Sequence, residues 1–181
     1  LIKRLTIIDD AKQKITELSS NVTTLQEILV DKRSRGAFGE IQLQNLIENV
    51  IPIDNYKMQH TLSNGLRADC ILFFPEPSGS ICIDSKFPLE NYQKFVNFAE
   101  DKAERKKAQQ DFKQNLKTHI KDISDKYIIP NETANGAIMF VPAEAVFSEI
   151  HKSFPEIVSF AQSKNVWIAS PTTMMAILTT T

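Results

Sequence analysis

Leu66-Arg-Ala-Asp-Cys-Ile-Leu-Phe-Phe-Pro-Glu-Pro-Ser-Gly-Ser-Ile-Cys-Ile-Asp-Ser-Lys86 holds two apolar runs, Leu66–Phe74 and Ser80–Lys86, joined by a Pro- and Gly-containing linker. Pro and Gly are turn formers, so the stretch reads as a β-hairpin with a loop of several residues. Side chains alternate faces along a strand, so Asp84 and Lys86 point the same way. Folding about the middle of the turn sets Asp69 opposite Lys86 or diagonal to Asp84, and a partner directly across shares that face. Two carboxylates and one ammonium then converge on one patch. Half-burying two like charges side by side is costly unless a cation compensates them, and hard oxygen ligands suit Mg²⁺ or Mn²⁺.

On the N-terminal side, Tyr56-Lys-Met-Gln-His-Thr-Leu62 and the turn Ser63-Asn64-Gly65 add a strand and complete a three-strand meander. Before it, Leu43, Leu46, Ile47 and Val50 keep helical spacing from Glu40 onward, and Gly36 and Gly39 are expected to loosen the chain ahead of that helix. Glu40 precedes Leu43 by three and Ile47 by seven, which puts its carboxylate on the inward face. Residues 1–35 contain no Gly or Pro and carry Leu1, Ile8, Ile15, Val22 and Leu29 at seven-residue intervals. Ala11, Leu18 and Leu25 supply the companion positions, with Arg4 interrupting the first. That seam predicts a coiled-coil helix over 1–35, for self-association or for packing back on its own domain, followed by a second domain over 36–181.

On the C-terminal side, residues 89–127 lack Gly and Pro, and Tyr92, Phe95, Phe112, Leu116, Ile120, Ile123 and Tyr127 follow a helical rhythm, broken near the middle. The lysines on its polar side, among them Lys106, Lys113 and Lys121, are interleaved with acids and read as a solvated face. An α/β extension follows: strand 137–141, helix 143–152, helix 155–164, strand 166–169, then Ser170-Pro171 opening a last helix. Trp167, in an apolar strand, reads as core.

Composition bounds less. With 181 residues and 42% hydrophobic side chains, one core plus an appendage is expected. The formal charge of −1 shows no overall basic excess of the kind that announces nucleic acid, so any such contact must be local. There is no apolar run of membrane-spanning length, and the start at Leu1 without an initiator Met reads as an excised piece of a longer chain. Cys70 and Cys82 fall on opposite faces of the hairpin, which argues against a disulfide. His60, His119 and His151 lack ligand spacing and read as structural or surface residues, and Ser85, facing away from Asp84 and Lys86, is no nucleophile.

Helix with an inward Glu, meander with Asp on its second strand and Asp-x-Lys ending its third, helix, strand: this order resembles the restriction-endonuclease-like core and its PD-(D/E)xK motif. The resemblance implies that Asp69 and Asp84 hold Mg²⁺ or Mn²⁺, that the Ser85 main-chain carbonyl completes the shell, and that Glu40 reaches the metal directly or through water. Lys86 would orient and help deprotonate the attacking water, or stabilise charge on the phosphate. Ala68 stands where the motif has Pro, and Asp84 fills the slot more often held by Glu.

Arg35-Gly-Ala-Phe-Gly-Glu-Ile-Gln-Leu43, Ile83-Asp-Ser-Lys-Phe-Pro-Leu-Glu-Asn-Tyr92, Lys126-Tyr-Ile-Ile-Pro130, Phe140-Val-Pro-Ala-Glu-Ala-Val-Phe147 and Val166-Trp-Ile-Ala-Ser-Pro-Thr-Thr173 resemble segments of the bacterial RmuC family. That resemblance implies a DNA nuclease domain flanked by coiled coils and acting in recombination. It also implies a cytoplasmic protein, tethered to the inner membrane where a preceding segment supplies an anchor. Glu144, just past a strand end, is either a further site contact or a first-turn Glu favoured by the helix dipole. The competing readings are a catalytically inactive nuclease-like coiled-coil DNA-binding or scaffolding protein, and an α/β domain whose charged hairpin end is merely solvated.

Overall fold

A computed structural model describes residues 32–86, 88, 92–95 and 101–180. The heptad stretch up to residue 31 lies outside the described residues, and with it the expected coiled coil. The chain divides into two compact units, Leu1–Phe38 and Gly39–Thr181. The described part of the first is helical; the second contains the sheet.

Helix α1 spans Lys32–Val50, and a short 3-10 turn, Ile53–Asn55, leads into β1 (Tyr56–Thr61), β2 (Arg67–Phe73) and β3 (Ser80–Ser85). Then come α2 (Lys102–Tyr127), β4 (Ala137–Phe140), α3 (Glu144–Ser153), α4 (Pro155–Ser163), β5 (Val166–Ala169) and α5 (Pro171–Thr179). The sheet runs β1-β2-β3-β4-β5, antiparallel through the meander and parallel from β3 to β4 to β5. Strand β3 is therefore central, with a hairpin partner on one side and a crossover partner on the other. A parallel partner requires a connection long enough to return the chain to the same end of the sheet, which α2 provides. The protein is mixed α/β.

One sheet face carries Cys70, Leu72, Ile83, Ile138, Phe140 and Ala169, packed with Leu43 and Ile47 of α1 and Met174 and Leu178 of α5. The other face is covered by α2 and α4. Their buried residues, Phe112, Leu116, Ile120, Ile123 and Tyr127 on α2 and Ile157 and Ala161 on α4, recur at the three- and four-residue steps that keep a helical stripe on one side. All four residues of β4 are buried, as expected for a parallel strand with helices on both sides. Cys70 and Cys82 lie on opposite faces, free and buried, and burial pushes both thiols up to about 12.

The break expected within 89–127 falls at Asp101, whose extended backbone and side-chain acceptance of the Ala103 and Glu104 amides make it the N-cap of α2. Ser170 caps α5 as read, accepting the Thr173 amide at 3.2 Å. Two expectations fail. Trp167 is 49% exposed, because β5 is the last strand of the sheet and the indole lies over Gly136, where a Cβ would come within 2.5 Å of the ring. Gly36 and Gly39 do not loosen α1, which runs through both. At Gly39 the missing side chain serves close approach: a Cβ there would sit 2.5 Å from Ser85 Oγ and 3.4 Å from Pro142 Cγ. Among the described residues no helix is long and apolar enough to cross a membrane.

The two glycines should respond oppositely to alanine. Among the described residues a Cβ at Gly36 meets nothing within 4 Å, so Gly36→Ala should gain up to about 1 kcal/mol from helix propensity. Gly39→Ala should forfeit that gain and lower the melting temperature, and Ser85→Ala in the same chain should recover much of it. Chemical denaturation of the three variants checks this; equal stabilisation by both single substitutions would remove the packing role given to Gly39.

Candidate metal-binding site

The hairpin register sets the site. Phe73 pairs with Ser80 and Cys70 with Ile83, so the next step along the ladder sets Asp69 against Asp84. This corrects the expected placement of Asp69 opposite Lys86 or diagonal to Asp84: it lies directly across from Asp84. Strand β2 ends at Phe73, which centres the loop one residue earlier, and moving the centre by one slides each partner by two. A slide of two preserves the face, so the three charged groups still converge.

Asp84 is 4% exposed. Its Oδ1 lies 3.3 Å from the Tyr127 hydroxyl, which also lies 3.1 Å from the Arg67 carbonyl oxygen. Its Oδ2 is buried, has the Lys86 ammonium 2.9 Å away as a charge partner, and takes no hydrogen bond from the described residues, which leaves a lone pair for a further ligand. Across the ladder, Asp69 Oδ2 accepts the Ser85 amide at 2.7 Å. Burial first, and then the Asp84 charge, push the Asp69 carboxyl up to about 6 from its ordinary 3.8. Glu40 adds to that rise, while the Ser85 amide and Lys86 oppose it.

Glu40 is half-buried on α1, in line with Leu43 and Ile47 as read. Its carboxylate accepts a hydrogen bond from Gln59 Nε2 at 3.3 Å. Glu40 is thus felt electrostatically at Asp69, while its side-chain bond goes to β1. Gln59 has a positive φ of 51°, and the β1–β2 pairing steps from Met58↔Cys70 to His60↔Ala68 without joining Gln59 to Asp69. The ladder is interrupted at the residue facing the candidate ligand. A left-handed Gln is uncommon, and such backbone conformations concentrate at functional sites.

Tyr127 and Gln59 are the site neighbours that sequence reasoning passed over. Tyr127 occupies a stripe position of α2 and so reads as core; the available signal was that a buried phenol needs a hydrogen-bond partner. Nothing in the identity of Gln59 announces its φ. Glu144 is not brought to the carboxylates. It opens α3, and Oε1 accepts the Thr172 amide at 2.7 Å, tying α3 to the first turn of α5. Partial burial pushes its carboxyl up, but the bonds from Thr172 and Ser170 hold it below the ordinary value. Ser85 Oγ faces Gly39, away from Asp84, in keeping with its exclusion as a nucleophile. His151 Nδ1 lies 3.0 Å from the Phe147 carbonyl on its own helix.

Among the described residues no three His, Cys, Asp or Glu side chains are grouped to hold one metal ion. The arrangement is a carboxylate pair, and Mg²⁺ is commonly held by one or two carboxylates with water and phosphate supplying the rest.

The residues around this pair match a known family from end to end. A family model described as RmuC family matches residues 2–181. The chain belongs to the RmuC family. It is 32% identical over 186 residues to a DNA recombination protein RmuC homolog of Chlamydia trachomatis, covering 99% of this chain and 41% of that protein. Against the homologs of Haemophilus influenzae and Xylella fastidiosa, identity is 31% over 92% of the chain and 27% over 97%. These alignments cover 38% and 41% of the two relatives, so the chain spans about two fifths of the curated RmuC proteins it matches. No solved structure gives a significant match.

The raised Asp69 acid makes a signed prediction. Its folded value of about 6 exceeds the ordinary 3.8, so the folded state binds the proton more tightly; that stabilisation is complete below about 3.8 and is lost as pH rises to about 6. With a chelator present, Asp69→Asn should therefore melt above the parent at neutral pH, and the gap should close toward pH 4. Thermal melts across that range test it; a gap independent of pH would mean that Asp69 carries no such burden.

Proposed function

We propose that this chain carries the metal-dependent phosphodiesterase site of a DNA recombination nuclease, on a restriction-endonuclease-like core of the PD-(D/E)xK type. The observation that carries the reading is the buried Asp84 Oδ2, lacking a hydrogen bond, with Lys86 2.9 Å away and Asp69 next in register. A buried carboxylate oxygen is expensive to leave unsatisfied, and a divalent cation uses the lone pair that no N–H or O–H takes up. Asp69 and Asp84 would hold that ion, with the Ser85 main-chain carbonyl and, directly or through water, Glu40. The bound cation would supply Lewis-acid polarisation of the phosphate and a more acidic water.

The chain's own groups have separable tasks. Asp69, with its acid raised to about 6, would hold the cation as the carboxylate. Lys86, on the same side as Asp84, orients the attacking water and helps deprotonate it, or stabilises charge on the phosphate. Glu40 and Gln59 brace the β1 side of the pair. DNA as the substrate rests on the names of the RmuC relatives. The lysine-bearing side of α2 does not add to it, since Lys113 pairs with Glu156 at 2.8 Å and Lys121 with Asp125 at 3.1 Å. The heptads over 1–35 would drive self-association, and the location would be the cytoplasm.

One observation favours a second reading. Ala68, in the slot the motif gives to Pro, is fully buried, and the cluster stops at a pair, as it would in a nuclease-like scaffold that binds DNA without cutting.

Cleavage of labelled single-stranded, duplex and hairpin DNA with Mg²⁺ or Mn²⁺ separates the two. Asp84→Ala should abolish cutting, and Lys86→Ala should slow it by roughly 100-fold or more, both with the fold retained. Undiminished cutting by both variants would remove the site; DNA binding without cutting by the parent would favour the scaffold.

A further inference from the structure

Asp84 lies at the end of a central strand, and its carboxylate turns about a side-chain torsion with only a broad, shallow preference. Something must set that rotation if one oxygen is to face Asp69 and Lys86. The Ser85 amide goes to Asp69, and Lys86 pairs by charge with Oδ2 alone. The Tyr127 hydroxyl is the group placed to act on Oδ1.

Tyr127 is itself well anchored. It ends α2, is 7% exposed, and its carbonyl accepts the Thr133 hydroxyl at 3.0 Å. The phenol carries one proton and faces two acceptors, the Arg67 carbonyl at 3.1 Å and Asp84 Oδ1 at 3.3 Å. That single group joins the first residue of β2, the metal-facing end of β3 and the last turn of α2. Burial, with the Asp84 and Asp69 charges, pushes the phenol above its ordinary range, so it stays a donor at neutral pH.

We propose that Tyr127 is a positioning residue for this site: its hydroxyl, shared between Arg67 O and Asp84 Oδ1, sets the rotation of the Asp84 carboxylate and thereby the affinity of the carboxylate pair for a divalent cation. The inference rests on the metal-binding reading above. It assigns a role to a helix outside the hairpin motif, and it makes the docking of α2 a determinant of cation binding. Groups that orient metal ligands from outside the coordination shell are worth about 10- to 100-fold in affinity.

The test is Mn²⁺ binding, followed by calorimetry and by the electron paramagnetic resonance of free Mn²⁺, in the parent chain, Tyr127→Phe and Asp84→Ala. Tyr127→Phe keeps the ring, and a melting curve in chelator reports its fold. The expected result is Mn²⁺ binding by the parent, none by Asp84→Ala, and binding about 10-fold or more weaker in Tyr127→Phe. A purely structural tyrosine would shift the melting curve but leave the affinity within twofold of the parent, which overturns the proposal. A parent that binds no Mn²⁺ overturns the metal reading and this inference together, an outcome distinct from the first. A second measurement does not need the Phe variant to fold. In protein carrying 3-fluorotyrosine at Tyr56, Tyr92 and Tyr127, the ¹⁹F resonance of Tyr127 should shift on Mg²⁺ saturation, and should not in Asp84→Asn. No shift in the parent at Mg²⁺ saturation counts against the contact.

Discussion

A carboxylate 4% exposed at the end of the central strand is the constraint around which the rest of this domain is arranged. An ion that far from water needs compensating charge or hydrogen bonds, and Asp84 has both in part: the Lys86 ammonium on one oxygen and the Tyr127 hydroxyl on the other. Supplying them takes three elements. The chain must stay tied to β4 past the end of β3, as the Lys86 amide does by donating to the Phe140 carbonyl, α2 must end where its last buried residue meets β3, and β2 must be in the register that brings Asp69 alongside. The result is a crowded acid pair, and burial together with the Asp84 charge raises the Asp69 carboxyl to about 6. Crowding of this kind has little value for folding, and the proposed cation would relieve it.

Much of the architecture was legible because it rests on patterns with strong physical causes. The hairpin showed itself in apolar runs flanking Pro and Gly, α2 in the stripe from Phe112 to Tyr127, and α5 in Ser170-Pro171. The convergence of Asp69, Asp84 and Lys86 was legible too, since face alternation survives an error of two residues in register. The register itself was not, because Phe74 could extend β2 or begin the loop, and only the packed sheet decides. Gly39 was misread for a related reason: in one dimension a glycine in a helix signals weakness, whereas here it lets α1 approach the end of β3. Trp167 looked like core because the sequence does not say which strand is last in the sheet. The left-handed Gln59 and the phenol beneath Asp84 were invisible or ambiguous, being fixed by tertiary neighbours rather than by local preference.

Membership in the RmuC family rests on the chain as a whole, whereas the proposed site rests on the geometry of the hairpin end. The family match covers almost the whole chain, and the chain spans about two fifths of the relatives it matches. Groups beyond the motif hold the three charged residues of the proposed site in place. Gln59 holds Glu40 near the pair, the Ser85 amide restrains Asp69, and Tyr127 restrains Asp84. Glu144, which sequence position alone makes attractive, is instead spent on joining α3 to α5.

The measurement that bears most directly on this account is an anomalous difference map from crystals equilibrated with Mn²⁺. The account predicts a single strong peak between the Asp69 and Asp84 carboxylates, within ligand distance of Asp84 Oδ2, with the Lys86 ammonium moved off that oxygen. A map with no peak at either carboxylate under saturating Mn²⁺, and Lys86 still paired with Asp84, would contradict it.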